Sequence, residues 1–369
     1  MSQSPLHVAV CGAGAFGRNH LRIYRDLEQQ GLTGSAAANP IRLSAIVESD
    51  PARSLALHTE YGAPVFSSIE ALLEARAKGE IAIDAASVCV PTSLHAKVAA
   101  PLLEAGIDLL IEKPIAATRE EAASLNALAT KHRRILQVGH LERFNPAVAA
   151  IQGHLNGPMF FEAHRLSVFT PRALDVDVVL DLMIHDLDVV LSLAKSPVRD
   201  LHAVGLPILS GKVDIANVRI EFESGCVANF TASRVSTERV RKLRFFQPHQ
   251  YVSIDYARQD LLVIDVSGAA GAAALGTAGA QPTPAIPGLP AGLSLQKPKV
   301  EPGEPLRLEI ESFLQSVRTR QTPRVSGEDG QAALDLALAI NEAMAEHARR
   351  AGLDRFASPA GFPIPPNLA

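Results

Sequence analysis

The chain has 369 residues, long enough for two domains, with 47% hydrophobic and 20% charged residues, a balance suited to a globular fold. Its net charge of -4 supplies no basic field, so neither nucleic acid nor an anionic membrane is expected as a partner. Cys11, Cys89 and Cys226 lie far apart, no charged stretch precedes an apolar run near Met1, and no run is long enough to span a bilayer; reduced thiols, no signal peptide and a cytoplasmic location are therefore expected.

Taken in order, residues 7–11 read as a short buried strand, followed by Gly12-Ala13-Gly14-Ala15-Phe16-Gly17 and a helix over about 18–30. A G-x-G-x-x-G run between a strand and a helix lets the backbone turn tightly against a pyrophosphate, while the helix N-terminus offers free N–H groups and a positive dipole end. Gly12, Gly14, Ala15, Phe16 and Gly17 are thus expected to hold a dinucleotide. The stretch 31–40, rich in Gly, Ala and Asn, reads as a lengthened loop before a second strand over 43–47. That strand ends in Glu48-Ser49-Asp50-Pro51, and an acid there accepts hydrogen bonds from ribose hydroxyls and repels a 2′-phosphate, which predicts NAD rather than NADP. Glu48 suits that role; Asp50 is better placed as a helix N-cap before Pro51.

The alternation continues with a helix over 69–77, a strand over 84–90, a helix over 93–105, a strand ending Leu109-Leu110-Ile111-Glu112-Lys113-Pro114, a helix over 119–132 and a strand over 135–138. Repeated strand–helix units predict an α/β fold with a doubly wound parallel sheet, whose ligands bind outside the carboxyl ends of the strands. Thr92, His95, Glu112 and Lys113 fall at that edge. Thr92 reads as a cofactor contact or an N-cap, and His95 as a cofactor contact or a structural histidine. Pro114 holds Lys113 toward an extended backbone, aiming its ammonium at a bound substrate.

After Gly139-His140-Leu141-Glu142-Arg143-Phe144-Asn145-Pro146 the pattern changes. A helix over 178–191 is apolar except at Asp181, His185, Asp186 and Asp188, and Asp181, His185 and Asp188 form one i, i+4, i+7 stripe. The stripe holds no Lys, Arg or Gln and is narrow for a solvated face, so it reads as an active-site wall; it lacks a second histidine or cysteine at ligand spacing, and no metal is expected. Strands over 216–222, 227–233, 240–246, 251–256 and 261–266 predict a large, mostly antiparallel sheet with one covered face, a surface suited to forming a homodimer or homotetramer. Residues 268–303, rich in Gly, Ala and Pro, read as a flexible arm, and helices over 305–318 and 328–350 close the chain. The expected division is a nucleotide-binding domain over 1–140 and a substrate and oligomerisation domain over 141–369.

Gly12-x-Gly14-x-x-Gly17, Glu112-Lys113-Pro114 and Asp181-x-x-x-His185-x-x-Asp188, in this order, resemble the glucose–fructose oxidoreductase/inositol dehydrogenase (Gfo/Idh/MocA) family. The resemblance implies a Rossmann domain followed by an α/β domain with an open sheet, and NAD-dependent oxidation of a sugar or cyclitol hydroxyl. It implies Lys113 as the catalytic lysine, His185 as the acid/base and Asp181 as a substrate-binding residue. Residues 137–146 and 181–186 resemble the UDP-N-acetylglucosamine 3-dehydrogenase branch, whose 3-keto product passes to a partner aminotransferase in lipid A biosynthesis. For a UDP-linked sugar, the pyrophosphate needs donors, and Arg143, Arg165, Arg172 and Arg234 are the candidates, with Asp188 beside the substrate. An inositol or free-sugar dehydrogenase and a non-catalytic NAD-binding sensor are the alternatives.

Overall fold

A computed structural model describes residues 4–30, 40–170, 176–266 and 293–353; the loop read at 31–39, Arg172 and most of the Gly/Ala/Pro-rich stretch lie outside the described residues. The chain forms two compact units, one made of residues 1–144 and 304–335, the other of 145–303 and 336–369.

In the first unit, β1 (Leu6–Cys11), β2 (Ile41–Val47), β3 (Val65–Phe66), β4 (Ala85–Val88), β5 (Asp108–Glu112) and β6 (Leu136–Gly139) form one sheet in the order β3-β2-β1-β4-β5-β6, parallel throughout. Helices α1 (Ala15–Gln30), α2 (Pro51–Tyr61), α3 (Ile69–Ala77), α4 (His95–Glu104) and α5 (Arg119–His132) provide the crossovers. This is the doubly wound arrangement expected. Cys11 pairs with Val47 and Val88, Val88 with Ile111, and Ile111 with Val138. Gly12, Glu48, Cys89, Glu112 and Gly139 therefore stand at one level along the carboxyl edge, with Lys113 and His140 one residue beyond.

The expected single boundary near residue 140 needs correction, because the chain returns to this unit. Helix α8 (Pro305–Thr319) places Leu306, Ile310, Phe313, Leu314 and Val317 in the same core as Leu21, Tyr24 and Leu27 of α1 and Val8 and Val10 of β1. The return is fastened by Asp108 at the start of β5. Its buried carboxylate accepts from the Ile135 N–H at 2.8 Å and is paired with the guanidinium of Arg320, the residue that ends α8.

In the second unit, β7 (Phe160–Val168), β8 (Val198–Leu206), β9 (Ile215–Phe222), β10 (Val227–Ser236), β11 (Val240–Gln247), β12 (Gln250–Asp255), β13 (Asp260–Asp265) and β14 (Ser294–Gln296) form a sheet in the order β14-β13-β12-β11-β7-β10-β9-β8. Every pairing is antiparallel except β7 with β10, in keeping with the mostly antiparallel open sheet expected. Alternate residues such as Ala216, Val218, Ile220 and Phe222 are buried and their neighbours are not, the period-2 pattern of a sheet with one covered face. β7, β8 and β14 are additions to the expected strands. β14 lies within the segment read as an arm, and Asp265 holds it by accepting from the Ser294 hydroxyl and the Gln296 amide.

After a short helix α6 (Pro146–Ala150), the helix expected over 178–191 is two elements, a π-helical turn at Val179–Met183 and α7 (Ile184–Ala194). Asp177 caps the turn by accepting from the Val179 and Leu180 N–H groups at 2.9 and 3.1 Å. The π turn widens the first turn of the expected helix, and the regular α-helix begins only at Ile184. Asp181 and His185 are half-buried, whereas Asp188 is buried in the packing of α7. The last helix among the described residues is α9 (Gly327–Ala351), and among these residues no helix is long and apolar enough to cross a membrane.

Asp108→Ala removes the acceptor of the Ile135 N–H and the carboxylate partner of Arg320, whose guanidinium keeps the Val317 and Arg133 carbonyls. The expected loss is roughly 2–4 kcal/mol, read as a lower urea midpoint. An unchanged midpoint would show that α8 is held by its apolar face alone.

Candidate active site

The carboxyl edge of the parallel sheet opens into a cleft of about 530 Å³ whose walls include Gly12, Gly14, Glu48, Arg53, Val90 and Leu94. Gly12 has φ +92°, and a Cβ there would come within 2.9 Å of the Cys89 carbonyl and of Val90. A Cβ on Gly17 would lie 1.9 Å from the Gly12 oxygen, so this glycine lets α1 close against the turn. Gly14 meets nothing within 4 Å and faces open space. Ala15 and Phe16 begin α1, whose first turn carries no acidic side chain to neutralise its positive end. The five residues predicted for a dinucleotide are therefore together, shaped for a phosphate to approach backbone.

Glu48 is 5% exposed, at the tip of β2 on the cleft wall. Its carboxylate accepts from the Ala13 N–H at 3.3 Å, the Asp50 N–H at 2.9 Å and the Arg53 guanidinium at 3.0 Å, which fixes it beside the glycine loop. Asp50 caps α2 through the Ala52 and Arg53 N–H groups. Cys11 and Cys89 lie behind the loop; burial pushes the Cys11 thiol up to about 12 and Cys89 well above its ordinary value, so both remain neutral wall residues.

Of three residues expected to touch cofactor, two have internal partners. Thr92 starts a single 3-10 turn, half-buried, and the cleft is lined by its neighbours Pro91 and Leu94. His95 is buried with Nδ1 2.9 Å from the Pro114 carbonyl and Nε2 2.9 Å from the Val90 carbonyl, and burial holds its pKa below the ordinary value. Glu112 turns away from the cleft: its carboxylate lies 2.9 Å from His20 Nε2 and packs against Gly139, where a Cβ would stand 2.9 Å from Oε1. His20 continues to Ser87 Oγ at 3.1 Å, and Ser87 to the Tyr24 hydroxyl at 2.8 Å.

Sequence reasoning missed His20, Ser87 and Tyr24. The available signal was a histidine on the apolar stripe of α1, in phase with Gly17, Leu21 and Tyr24. Lys113 is half-buried one residue beyond Glu112. His140, at the matching position after β6, is fully buried, and burial, with the nearby charges of Lys113 and Arg143, drives its pKa from 6.5 to about 3. It is a neutral imidazole at physiological pH, unable to serve as an acid there.

In the second unit the π turn and α7 carry Asp181 and His185. The next residue, Asp186, forms a bidentate pair with Arg165 of β7 (2.7 and 2.9 Å) with side chains 3% and 4% exposed, and the Arg165 guanidinium also lies 5.2 Å over the Tyr256 ring. Arg165 was expected to bind a substrate pyrophosphate; it is instead the internal partner of Asp186, because a charge pointing into the covered face of a sheet requires a buried counter-charge. Arg234 is likewise buried, beside Asp214 and donating to the Val176 carbonyl at 2.6 Å. Burial opposes ionisation of Asp214, but the Ser210 hydroxyl and the N–H groups of Ser210, Leu209 and Ile208 outweigh it and its pKa falls below the usual carboxylate value. Arg143 belongs to the first unit, not the second, and donates to the Arg324 carbonyl at 3.1 Å.

Residues 6–140 match the family profile described as oxidoreductase family, NAD-binding Rossmann fold, and residues 147–247 match the GFO/IDH/MocA C-terminal domain. The chain is 32% identical over 341 residues to the UDP-N-acetylglucosamine 3-dehydrogenase of Acidithiobacillus ferrooxidans, covering 92% of this chain and 97% of that one. It belongs to the Gfo/Idh/MocA family. It is also similar to an inositol 2-dehydrogenase of Rhizobium meliloti, 26% identical over 91% of this chain and 96% of that one. A solved structure of the A. ferrooxidans UDP-N-acetylglucosamine 3-dehydrogenase superposes with a TM-score of 0.77 at 30% identity, covering 92% and 98% of the two chains. As a Gfo/Idh/MocA protein the chain is an NAD-dependent oxidoreductase, and the glycine loop and Glu48 have the shape and donors that NAD requires.

Because His140 stays neutral when folded, the unfolded chain takes up a proton below about pH 6.5 that the folded chain refuses until about pH 3. Stability from this group is thus complete above pH 6.5 and falls as the pH drops, with a limiting slope of about 1.4 kcal/mol per pH unit. Urea titrations at pH 7.5 and 5 should show a smaller acid loss for His140→Leu than for the parent chain; equal losses would contradict the buried, neutral state.

Proposed function

We propose that this NAD-dependent oxidoreductase oxidises the 3-hydroxyl of UDP-N-acetylglucosamine to a ketone. What supports the reading is similarity along nearly the full length of both chains to a protein named for that activity, in a chain that holds Lys113 and His185 in the motifs on which the family resemblance rests. Oxidising a carbinol requires loss of hydride from carbon and of a proton from oxygen. NAD, when bound along the Gly12–Gly17 loop and Glu48, supplies the hydride acceptor. The ammonium of Lys113 donates to the hydroxyl oxygen and stabilises its growing negative charge. His185 takes the hydroxyl proton, as an imidazole suits near neutral pH. Asp181 accepts from neighbouring sugar hydroxyls, and Asp188, buried behind them, supports α7. With Arg165 and Arg234 committed internally, Arg143 is the arginine we assign to the pyrophosphate. A 3-keto nucleotide sugar is the natural substrate of a sugar aminotransferase, and we place the chain in the cytoplasm before such a step, in the lipid A direction that the resemblance implies.

A homodimer formed through the open sheet face is part of the same reading. Register aligns Val227, Phe160, Phe246, Tyr251, Ile264 and Leu295 in one row across six strands, on the face opposite the core. The Phe160, Phe246 and Tyr251 rings contact in sequence, and Phe246 is 37% exposed. An apolar band flanked by the Arg244–Glu162 ion pair is self-complementary, so the occupant we assign is a second copy of this chain.

Incubated with NAD and UDP-N-acetylglucosamine, the protein should generate reduced nicotinamide, followed by absorbance. Lys113→Ala and His185→Ala should each lower turnover by roughly 10²–10⁴-fold. Reduction with inositol and none with UDP-sugars would overturn the nucleotide-sugar reading and favour the activity of the R. meliloti relative. In analytical ultracentrifugation Phe246→Asp should sediment as a monomer where the parent chain is a dimer; a monomeric parent would refute the sheet interface.

A further inference from the structure

Two buried histidines meet the strand end that carries Lys113, one on each side. Upstream, His20 holds the Glu112 carboxylate at 2.9 Å, and that carboxylate packs into the space that a Cβ on Gly139 would take. His20 itself is fixed through Ser87 to Tyr24, which is fully buried in the core beneath α1. Downstream, the His95 ring stands between the Pro114 and Val90 carbonyls, 2.9 Å from each; a neutral imidazole donates to one of them and packs against the other, so the ring bridges the segment after Lys113 and the segment leaving β4. Both rings are at most 1% exposed, so neither can be a ligand contact without moving. Lys113 has four methylene groups and no rigidity of its own; a fixed position for its ammonium must come from the backbone on both sides.

We propose that His20 and His95 are positioning residues for Lys113, clamping residues 112 and 114 so that the ammonium meets the reacting hydroxyl in a single geometry. The inference rests on the role assigned to Lys113 above. It explains why Glu112, on the cofactor side of the motif, points inward: its task is to anchor the strand end. It also makes α1 common to both functions, because this helix offers its first turn to the pyrophosphate and, one turn later, holds the lysine strand through His20.

The test is a set of double-mutant cycles. His20→Phe and His95→Phe remove the hydrogen bonds and keep a ring; His20→Gln and His95→Gln keep a donor and serve if the first pair folds poorly. Each is measured alone and with Lys113→Ala, by NAD affinity in calorimetry and by kcat and KM with UDP-N-acetylglucosamine. Expected are NAD affinities within about twofold of the parent, kcat lowered roughly 10- to 100-fold with little change in KM, partial recovery in the Gln variants, and no further loss when Lys113 is already Ala. Equal losses with and without Lys113, or weakened NAD binding that accounts for the loss, would overturn the clamp and leave both histidines as general fold stabilisers. Full turnover in Lys113→Ala alone would instead remove the role of the lysine, an outcome separate from failure of the clamp.

Discussion

Five parallel strands ending at the same level is the constraint from which the chemistry of the first unit follows. Because Cys11, Val47, Val88, Ile111 and Val138 are in register, the residues after them leave the sheet along one line. Backbone groups there have lost their ladder partners, and the order of strands reverses between β1 and β4, which opens a crevice. A glycine turn, an acid, a thiol, a second acid and another glycine fill that line, each limited by what its neighbour allows. Gly12 must lack a side chain because the Cys89 carbonyl is already there, and Gly139 because the Glu112 carboxylate is.

Buried charge serves a second purpose, which is to set register and rotation. Arg165 is a charge on the covered face of β7, and Asp186, on α7, meets it with two hydrogen bonds. A pair of this kind contributes little net stability compared with a well-packed apolar pair, but a rotation of α7 would leave two charges uncompensated. His185 is next to Asp186 and inherits that rotation. Asp108 does comparable work for the returning helix α8, and Asp214 for the loop at Ile208–Ser210.

The glycine turn and the Glu48 position were legible, because a tight turn between a strand and a helix needs glycines at short, fixed spacing and the acid stands at the tip of the next strand. Glu112 and Arg165 have internal partners, and of the two readings open for His95 the structure supports the structural one, for one physical reason: a polar residue near a ligand and one that braces the wall behind it look alike until its partner is known. The π turn at the start of the 178–191 helix was not legible, since no residue type in Val179–Met183 declares it.

Taken alone, the amino-acid order determined the kinds of element, their sequence along the chain, the parallel and antiparallel character of the two sheets, and the residue types offered to a nucleotide. Tertiary structure decided which polar groups face a ligand and which face each other. His20 and Glu112 are separated by 92 positions and Arg320 and Asp108 by 212, and it also decided that α8 belongs with the first sheet. Periodicity reports which face of an element is apolar, a property of neighbours within two turns. It carries no record of the remote surface against which that face comes to rest.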